Sequence, residues 1–446
     1  MTLTRTLLEE YVGTRDITPG AKAAVAIALA DGLAVMVAAT GLEPAVAPVQ
    51  AYASASGAGP ATLIGADRKV SPVMAALGNG ALAHAIDFED TFEAGKIHPN
   101  ASLIPSVLAL AEAEDSGGAE VIRALALGCD FACRLSLALD GDPAERGWYH
   151  PPILSGLGAT LGCCLLLDLD AKAAVNALGL FAAQFMLADE LKRSPLSHLR
   201  AVREGLAARA AVEAALLARA GVVAVEQPLE GSGGVFPMLT GNAPRPRAFA
   251  EIGRHFHGPE VGVKQWPSCR GTHSAIVAAQ RLRDRGLTPS DVAEVTVAVS
   301  SPNDMLFVPR QQRIAPRTAI DAKFSIPFAF ATALEHGAVD LASFTPERLA
   351  SAVTLDLASR IRMDGAPPPP GVEAVYNLWT RAGTSITEIV EAVPGLRAAD
   401  TTLEAMAPKV QACLAAGARP VNSRNLLTAI ARLETDGPRD LMRLVS

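Results

Sequence analysis

The sequence predicts a mainly α protein, with a large all-α helical domain and a smaller α/β domain. Three observations lead there. Apolar residues recur at three- and four-residue spacing through most of the first 221 positions. Half of the residues are hydrophobic but only 4% are aromatic, so the helices are rich in Ala, Leu and Val and able to pack closely. Beyond residue 263 the texture changes, and alternating β-branched stretches appear. A chain of 446 residues has room for two or three domains and a core that needs no disulfide or metal staple.

The expected helices cover 20–40, 72–88, 101–114, 119–138, 153–167, 171–188 and 204–221. Gly and Pro punctuate them at Pro19-Gly20, Gly57-Ala-Gly59-Pro60, Ser116-Gly-Gly118, Pro151-Pro152 and Gly231-Ser-Gly-Gly234. Val292–Ser300 reads as a strand with Val295, Val297 and Val299 on one face. A helix follows over 322–337, ending at Gly337. Pro367 to Pro370 forms a hinge or loop. Val372–Trp379 and Ser385–Val390 read as a hairpin around Arg381-Ala-Gly383. Helices resume at 401–416 and 422–434. The expected division is an all-α domain over 1–262, completed by 401–446, and an α/β domain over 263–400.

A net charge of −7 argues against nucleic acid or an anionic membrane as partner, because both need a basic face. The N-terminus lacks the basic and apolar regions of a signal peptide. Lys22 and Asp31 interrupt the first apolar stretch, and Asn176 and Gln184 another, so no bilayer span is expected. None of the six cysteines forms a CxxC pair, and buried reduced thiols in a cytoplasmic protein are expected.

The eight histidines focus the search for chemistry. His98 and His150 each precede proline, which disfavours the α conformation, and each is followed by an apolar helical run. Both are expected in irregular segments beside helix N-termini, where the dipole favours anions and a neutral imidazole. That setting suits a general base or acid; the alternative is a loop histidine that caps or packs. His84, Asp87 and Asp90, at i, i+3 and i+6, are expected near one face of a helix end, either orienting a catalytic histidine or forming a structural polar cluster. Lys264-Gln-Trp-Pro-Ser-Cys-Arg270-Gly-Thr-His273 leads into a helix with Thr272 as a candidate N-cap. Lys264 and Arg270 are able to grip carboxylates, or to be solvated linker charges. Arg200 and Arg203 are read as a solvated face. His255-Phe-His257 lacks a third metal ligand at a convincing spacing. No dinucleotide fingerprint, P-loop or nucleophile elbow occurs.

Taken together, Asn79-Gly-Ala-Leu-Ala-His-Ala-Ile-Asp-Phe-Glu-Asp-Thr91, His98-Pro99, Gly147-Trp-Tyr-His150, Glu204-Gly-Leu-Ala-Ala208, Leu229-Glu-Gly231, Lys264-x-x-Pro-x-Cys-x-x-x-His273 and Ala322-Lys-Phe-Ser-Ile-Pro327 resemble the MmgE/PrpD family. The resemblance runs along nearly the whole chain, in the family's order. It implies a discontinuous all-α domain, an α/β lid, a homodimer, and chemistry without metal or organic cofactor. It also implies a small polycarboxylate substrate bound between the domains. By position, the active-site Asp falls on Asp87, the histidines on His98 and His150, and the lid lysine on Lys264. His84, Arg200, Cys269, Arg270 and His273 are the expected substrate-binding residues. Three positions depart from the decarboxylase pattern: Arg200 replaces a lysine, Cys269 a histidine and Phe328 a tyrosine. The implied activity is a hydro-lyase of the 2-methylcitrate dehydratase kind. The alternatives are a dicarboxylate epimerase, which uses the same proton abstraction, and a non-catalytic binder of an acidic metabolite.

Overall fold

The computed structural model describes residues 2–192, 197–393 and 396–446. They form two compact units, Met1–Val263 with Leu396–Ser446, and Lys264–Gly395.

The first unit is helical. Its principal helices are α1 (Leu3–Gly13), α2 (Pro19–Leu42), α3 (Ala47–Ala55), α4 (Pro72–Ala85), α5 (Pro99–Glu114), α6 (Gly118–Leu137), α7 (Pro151–Leu166), α8 (Ala171–Gln184) and α9 (Leu199–Arg219). Pro at the first helical position opens α2, α4, α5 and α7, where its missing N–H costs nothing. Thr18, Ser71 and Asp170 cap α2, α4 and α8 through their side chains. Leu403–Ala415 returns from the C-terminal part and packs on α2. Its Lys409 forms an ion pair with Asp31, the buried carboxylate in the middle of α2. By length and composition α2 is apolar enough to cross a membrane, which the sequence reading did not expect, but 72% of its most apolar stretch is buried inside this unit. The interrupting Asp31 is thus a core group neutralised by a partner distant in sequence.

Two glycines set the crossing of α4 and α9. A Cβ on Gly80 of α4 would lie 2.8 Å from Gly205 Cα, and one on Gly205 of α9 would lie 2.3 Å from the Leu77 carbonyl oxygen. The backbones touch there, so the two helices pack along much of their length. Arg200, Arg203 and Glu204 are therefore buried rather than spread on a solvated face, and they lie inside α9 rather than ahead of it.

The second unit is α/β. Its four-stranded sheet runs in the order Ile361–Met363, Val292–Val299, Ala374–Thr380, Ser385–Val390. The first pair is parallel and the others antiparallel. Val295 and Val297 are fully buried, and helices His273–Asp284 and Ile326–His336 complete the core. Phe330 stacks on Tyr376, whose hydroxyl shares a 2.9 Å hydrogen bond with Ser274 Oγ. The parallel edge strand, at three residues, is too short to show a period; α1, whose Thr4, Leu7, Leu8 and Tyr11 form one buried face at helical spacing, was not among the expected helices.

All six cysteines are free thiols, and all but the half-buried Cys269 are buried. Burial pushes the Cys164 and Cys413 thiols up to about 12, so neither is a nucleophile at neutral pH.

The α4–α9 contact yields a prediction. Replacing an interior helical glycine by Ala is normally worth about 1 kcal/mol of helix propensity. At Gly205 the methyl meets backbone, and overpacking costs about 1–3 kcal/mol. Gly205→Ala should therefore lower the urea midpoint. Gly20→Ala, where a Cβ meets nothing within 4 Å, should leave it unchanged or raise it.

Candidate active site

In the first unit the end of α4, the start of α5 and the N-terminal half of α9 carry a buried polar cluster. The α4 helix stops at Ala85, and Asp87 adopts the left-handed region at φ 53°. Short polar Asp tolerates that conformation better than most residues. His84, Asp87 and Asp90 therefore do not share a helical face, as the spacing had suggested. The turn instead folds Glu89 back onto the histidines. His84 Nδ1 lies 2.6 Å from Glu89 Oε1, and His98 Nδ1 lies 3.3 Å from the same oxygen. One carboxylate thus sits between two imidazoles whose ring centres are 5.4 Å apart.

His98 is the N-cap of α5, at φ −114° and ψ 80°, outside the α region as its following proline requires. Its Nδ1 is 2.7 Å from the Asp90 carbonyl oxygen. A carbonyl only accepts, so Nδ1 carries the hydrogen. In the neutral ring Nε2 then holds the lone pair. Asp90 accepts a 2.6 Å hydrogen bond from Asn100 Nδ2, which ties the turn to α5.

His150 also caps a helix, α7, but it is in the α region itself, at φ −72° and ψ −27°. The pre-proline preference is overridden there because the Leu154 N–H already bonds to the His150 carbonyl. Burial pulls its imidazole down to about 4, an effect opposed by Asp142 and a hydrogen bond to the Gly95 backbone and reinforced by Lys192 and Lys96. His150 is therefore neutral at pH 7.

Next to it, the Tyr149 ring lies beneath the Arg203 guanidinium, 4.9 Å from ring centre to Cζ. Burial raises the Tyr149 hydroxyl above its usual range, although Arg203 and Arg200 oppose this. Arg203 is wholly buried. Its Nη1 donates to the Arg200 carbonyl at 2.6 Å and its Nε lies 3.6 Å from Glu204 Oε1. Its Nη2 has no hydrogen-bond partner among the described residues. Glu204 accepts a short hydrogen bond from Ser102 Oγ, and burial raises its carboxyl against the pull of Arg203 and His84.

In the second unit, Lys264 is buried. Cys269 caps a short 3-10 turn, Arg270–Thr272, and its N–H donates to the Lys323 carbonyl at 3.0 Å. Arg270 is bidentate to Glu373, at 2.6 and 3.3 Å. That pairing offsets the charge expected to grip a substrate carboxylate. His273 is the buried first residue of its helix, with Nε2 3.2 Å from the Ser268 carbonyl and its ring edge-on to Trp266. Thr272 occupies the N-cap position, but its hydroxyl turns back to the Cys269 carbonyl instead of capping the helix. Phe328 lies in this unit's core.

The structure thus brings together His84, Asp87 and His98, adds Glu89, and sets Tyr149, Arg200, Arg203 and Glu204 in a second connected group. Glu89, Tyr149 and Glu204 join these groups without being among the site residues expected from sequence. Glu89 is five residues from His84, a spacing that only a broken helix closes. Among the described residues, two histidine–carboxylate groups have ligand atoms within 4.8 Å of one another and are able to hold a metal: His84, Asp87, Glu89 and His98, and separately His255, His257 and Glu260.

Models of the MmgE/PrpD N-terminal and C-terminal domains match residues 10–247 and 266–435. A cis-aconitate decarboxylase-like protein, oryM, of Aspergillus oryzae is 28% identical over 65% of this chain, which spans 64% of that relative. Cis-aconitate decarboxylase of Aspergillus terreus is 26% identical over 78% of this chain and 76% of its own. The Mus musculus enzyme of that name is 24% identical over 72% and 67%.

The His150 environment predicts a pH dependence of stability. Its folded value of about 4 lies below the ordinary 6.5 of a histidine, so between these values the unfolded chain binds a proton that the folded chain refuses. The contribution is complete above pH 6.5 and is lost as pH falls through 4. Urea midpoints at pH 7.5 and 5.0 should drop further for wild type than for His150→Gln. Equal drops would show that burial of this ring is not the cause.

Proposed function

Because the chain belongs to the MmgE/PrpD family, we propose that it is a lyase of a small polycarboxylate, removing a proton α to a carboxylate and eliminating water. The observation that carries this reading is the buried Arg203 guanidinium, with a donor left over, in a connected group beside a histidine cluster. A buried unpaired donor is costly unless a ligand completes it, and a guanidinium pairs best with a carboxylate.

In this reading His98 is the base. Its Nδ1–H is fixed on the Asp90 carbonyl, so Nε2 takes the Cα proton. The electron pair moves into the adjacent carboxylate, giving an enediolate whose charge Arg203 and Arg200 stabilise. The pair then returns to form the C=C bond as the β C–O bond breaks, and the departing hydroxyl takes the proton that His98 Nε2 now holds, leaving as water and restoring the neutral base. His150 is neutral, so it acts as a hydrogen-bond donor to the developing charge and not as an imidazolium acid. Glu89 is a positioning residue, holding His84 and His98 in register. Lys264, the family lysine by position, is assigned to carboxylate neutralisation. A cytoplasmic homodimer that works without metal or organic cofactor is part of this proposal.

The test is proton NMR in D₂O with 2-methylcitrate, citrate, cis-aconitate, tartrate and iminodisuccinate. A new vinylic signal from a hydroxy acid is expected, and it should survive dialysis against EDTA. Deuterium entering an α position without elimination would instead identify an epimerase, and loss of CO₂ from cis-aconitate a decarboxylase like the named relatives. His98→Gln should lower kcat by about 10²–10⁴ while the fold persists by circular dichroism. An unchanged kcat would remove His98 from the role of base.

A further inference from the structure

The second histidine–carboxylate group lies in a separate segment, His255-Phe-His257-Gly-Pro-Glu260. The sequence alone gave two histidines without a third ligand. The fold supplies it. His255 Nε2 lies 2.9 Å from one oxygen of Glu260, and His257 Nδ1 lies 3.2 Å from the other. The two imidazoles meet edge to face, with centres 4.8 Å apart. An ion with ligand bonds of about 2.0–2.2 Å in tetrahedral geometry sets its ligand atoms roughly 3.3–3.6 Å apart. Each nitrogen approaches a different oxygen of Glu260, and one ligand atom from each of the three residues lies within 4.8 Å of the others, so the set closes on an ion by shifts of about an ångström.

The backbone beneath these ligands is anchored to the core. Arg134 Nη2 donates to the His255 carbonyl at 2.7 Å, and the His257 N–H donates to Asp130 Oδ1 at 2.9 Å. Asp130 and Arg134 are themselves paired at 2.8 Å, and the Tyr11 hydroxyl donates to Asp130 at 2.7 Å. The Glu260 N–H donates to the His257 carbonyl at 2.9 Å. A ligand set on a pre-organised backbone loses little entropy on binding. His255 and Glu260 are exposed, so water has access to a fourth position. Arg397, a neighbouring cation, is directed at Asp400 at 2.7 Å.

We propose that His255, His257 and Glu260 form a binding site for one late first-row divalent cation of the Zn²⁺ class, with two imidazole nitrogens, one carboxylate and an open water position. Two nitrogens and one oxygen suit Zn²⁺, Ni²⁺ or Cu²⁺ better than Mg²⁺ or Ca²⁺, which favour oxygen ligands. On binding, any proton on the ligating ring nitrogen moves to the other ring nitrogen or to solvent, and the histidine–glutamate hydrogen bonds give way to metal bonds. The site is independent of the lyase reading and stands if that reading fails.

The test uses the tag-free full chain, stripped with EDTA and titrated with Zn²⁺ by calorimetry and with Co²⁺ by visible absorption. One ion per chain is expected, with a Co²⁺ d–d spectrum of low coordination number and a rise in melting temperature on adding Zn²⁺. Glu260→Gln, a near-isosteric surface change, and His255→Ala should each weaken binding at least about tenfold while the metal-free melting temperature stays near wild type. No binding by wild type would overturn the proposal, as would Zn²⁺ binding undiminished in both variants, which would place the ion elsewhere.

Discussion

The contact between Gly80 and Gly205 is the constraint on which the first unit's chemistry rests. Helices that meet through larger side chains keep their axes about 8–10 Å apart, whereas here one backbone rests on the other. That proximity leaves no solvent on the inner side of α9. Arg203 and Glu204 follow Arg200 along this helix and are carried into the interior with it. A buried charge has two ways to remain tolerable: a fixed partner, or a pKa shift that removes the charge. Both occur. The Arg203 guanidinium has the Tyr149 ring beneath it and Glu204 beside it, while burial raises the Glu204 carboxyl above its usual range.

The same rule governs the turn after α4. Ending the helix at Ala85 frees the chain to reverse at Asp87, and the reversal delivers Glu89 to His84 and His98. Without a carboxylate there, two adjacent imidazoles in an Ala-rich interior would be difficult to hold in a defined protonation state. With it, each has an orienting anion. The Asp90 carbonyl decides the tautomer of the one at the helix N-terminus. The proline after His98 contributes twice, by keeping His98 out of the helix and by starting α5 without an unsatisfied N–H.

Much of this was legible in the sequence, and the exceptions share a physical cause. Helices and the sheet hairpin were readable because their apolar periods are local. Pro after His98 and His150 placed both at helix starts, where they are. The turn from Ile86 to His98 was not readable, because its geometry comes from one left-handed residue and from contacts to α5. Arg200 and Arg203 read as solvated because charge on a helix is usually exposed. Only the glycine crossing reverses that, and a glycine in an Ala-rich helix does not announce its partner. Glu260 was invisible as a third ligand to His255 and His257 for a related reason: a short 3-10 turn over Gly258–Glu260 brings it round.

The two histidine–carboxylate groups show how environment assigns different chemistry to similar donors. In the buried one, Glu89 is shared by two rings, and its interior position makes any exchange of these partners costly. Such a group is suited to holding a proton donor and acceptor in fixed relation. In the exposed one, His255 and Glu260 face water, so their mutual hydrogen bonds are worth little net energy and are readily traded for another partner. What the exposed group keeps is position, because the Asp130–Arg134 pair beneath it is buried and tied to Tyr11. Exchangeable ligands on a rigid backbone are the conditions under which a metal ion competes well with water. Fixed ligands in a dry interior are the conditions under which proton transfer is best controlled.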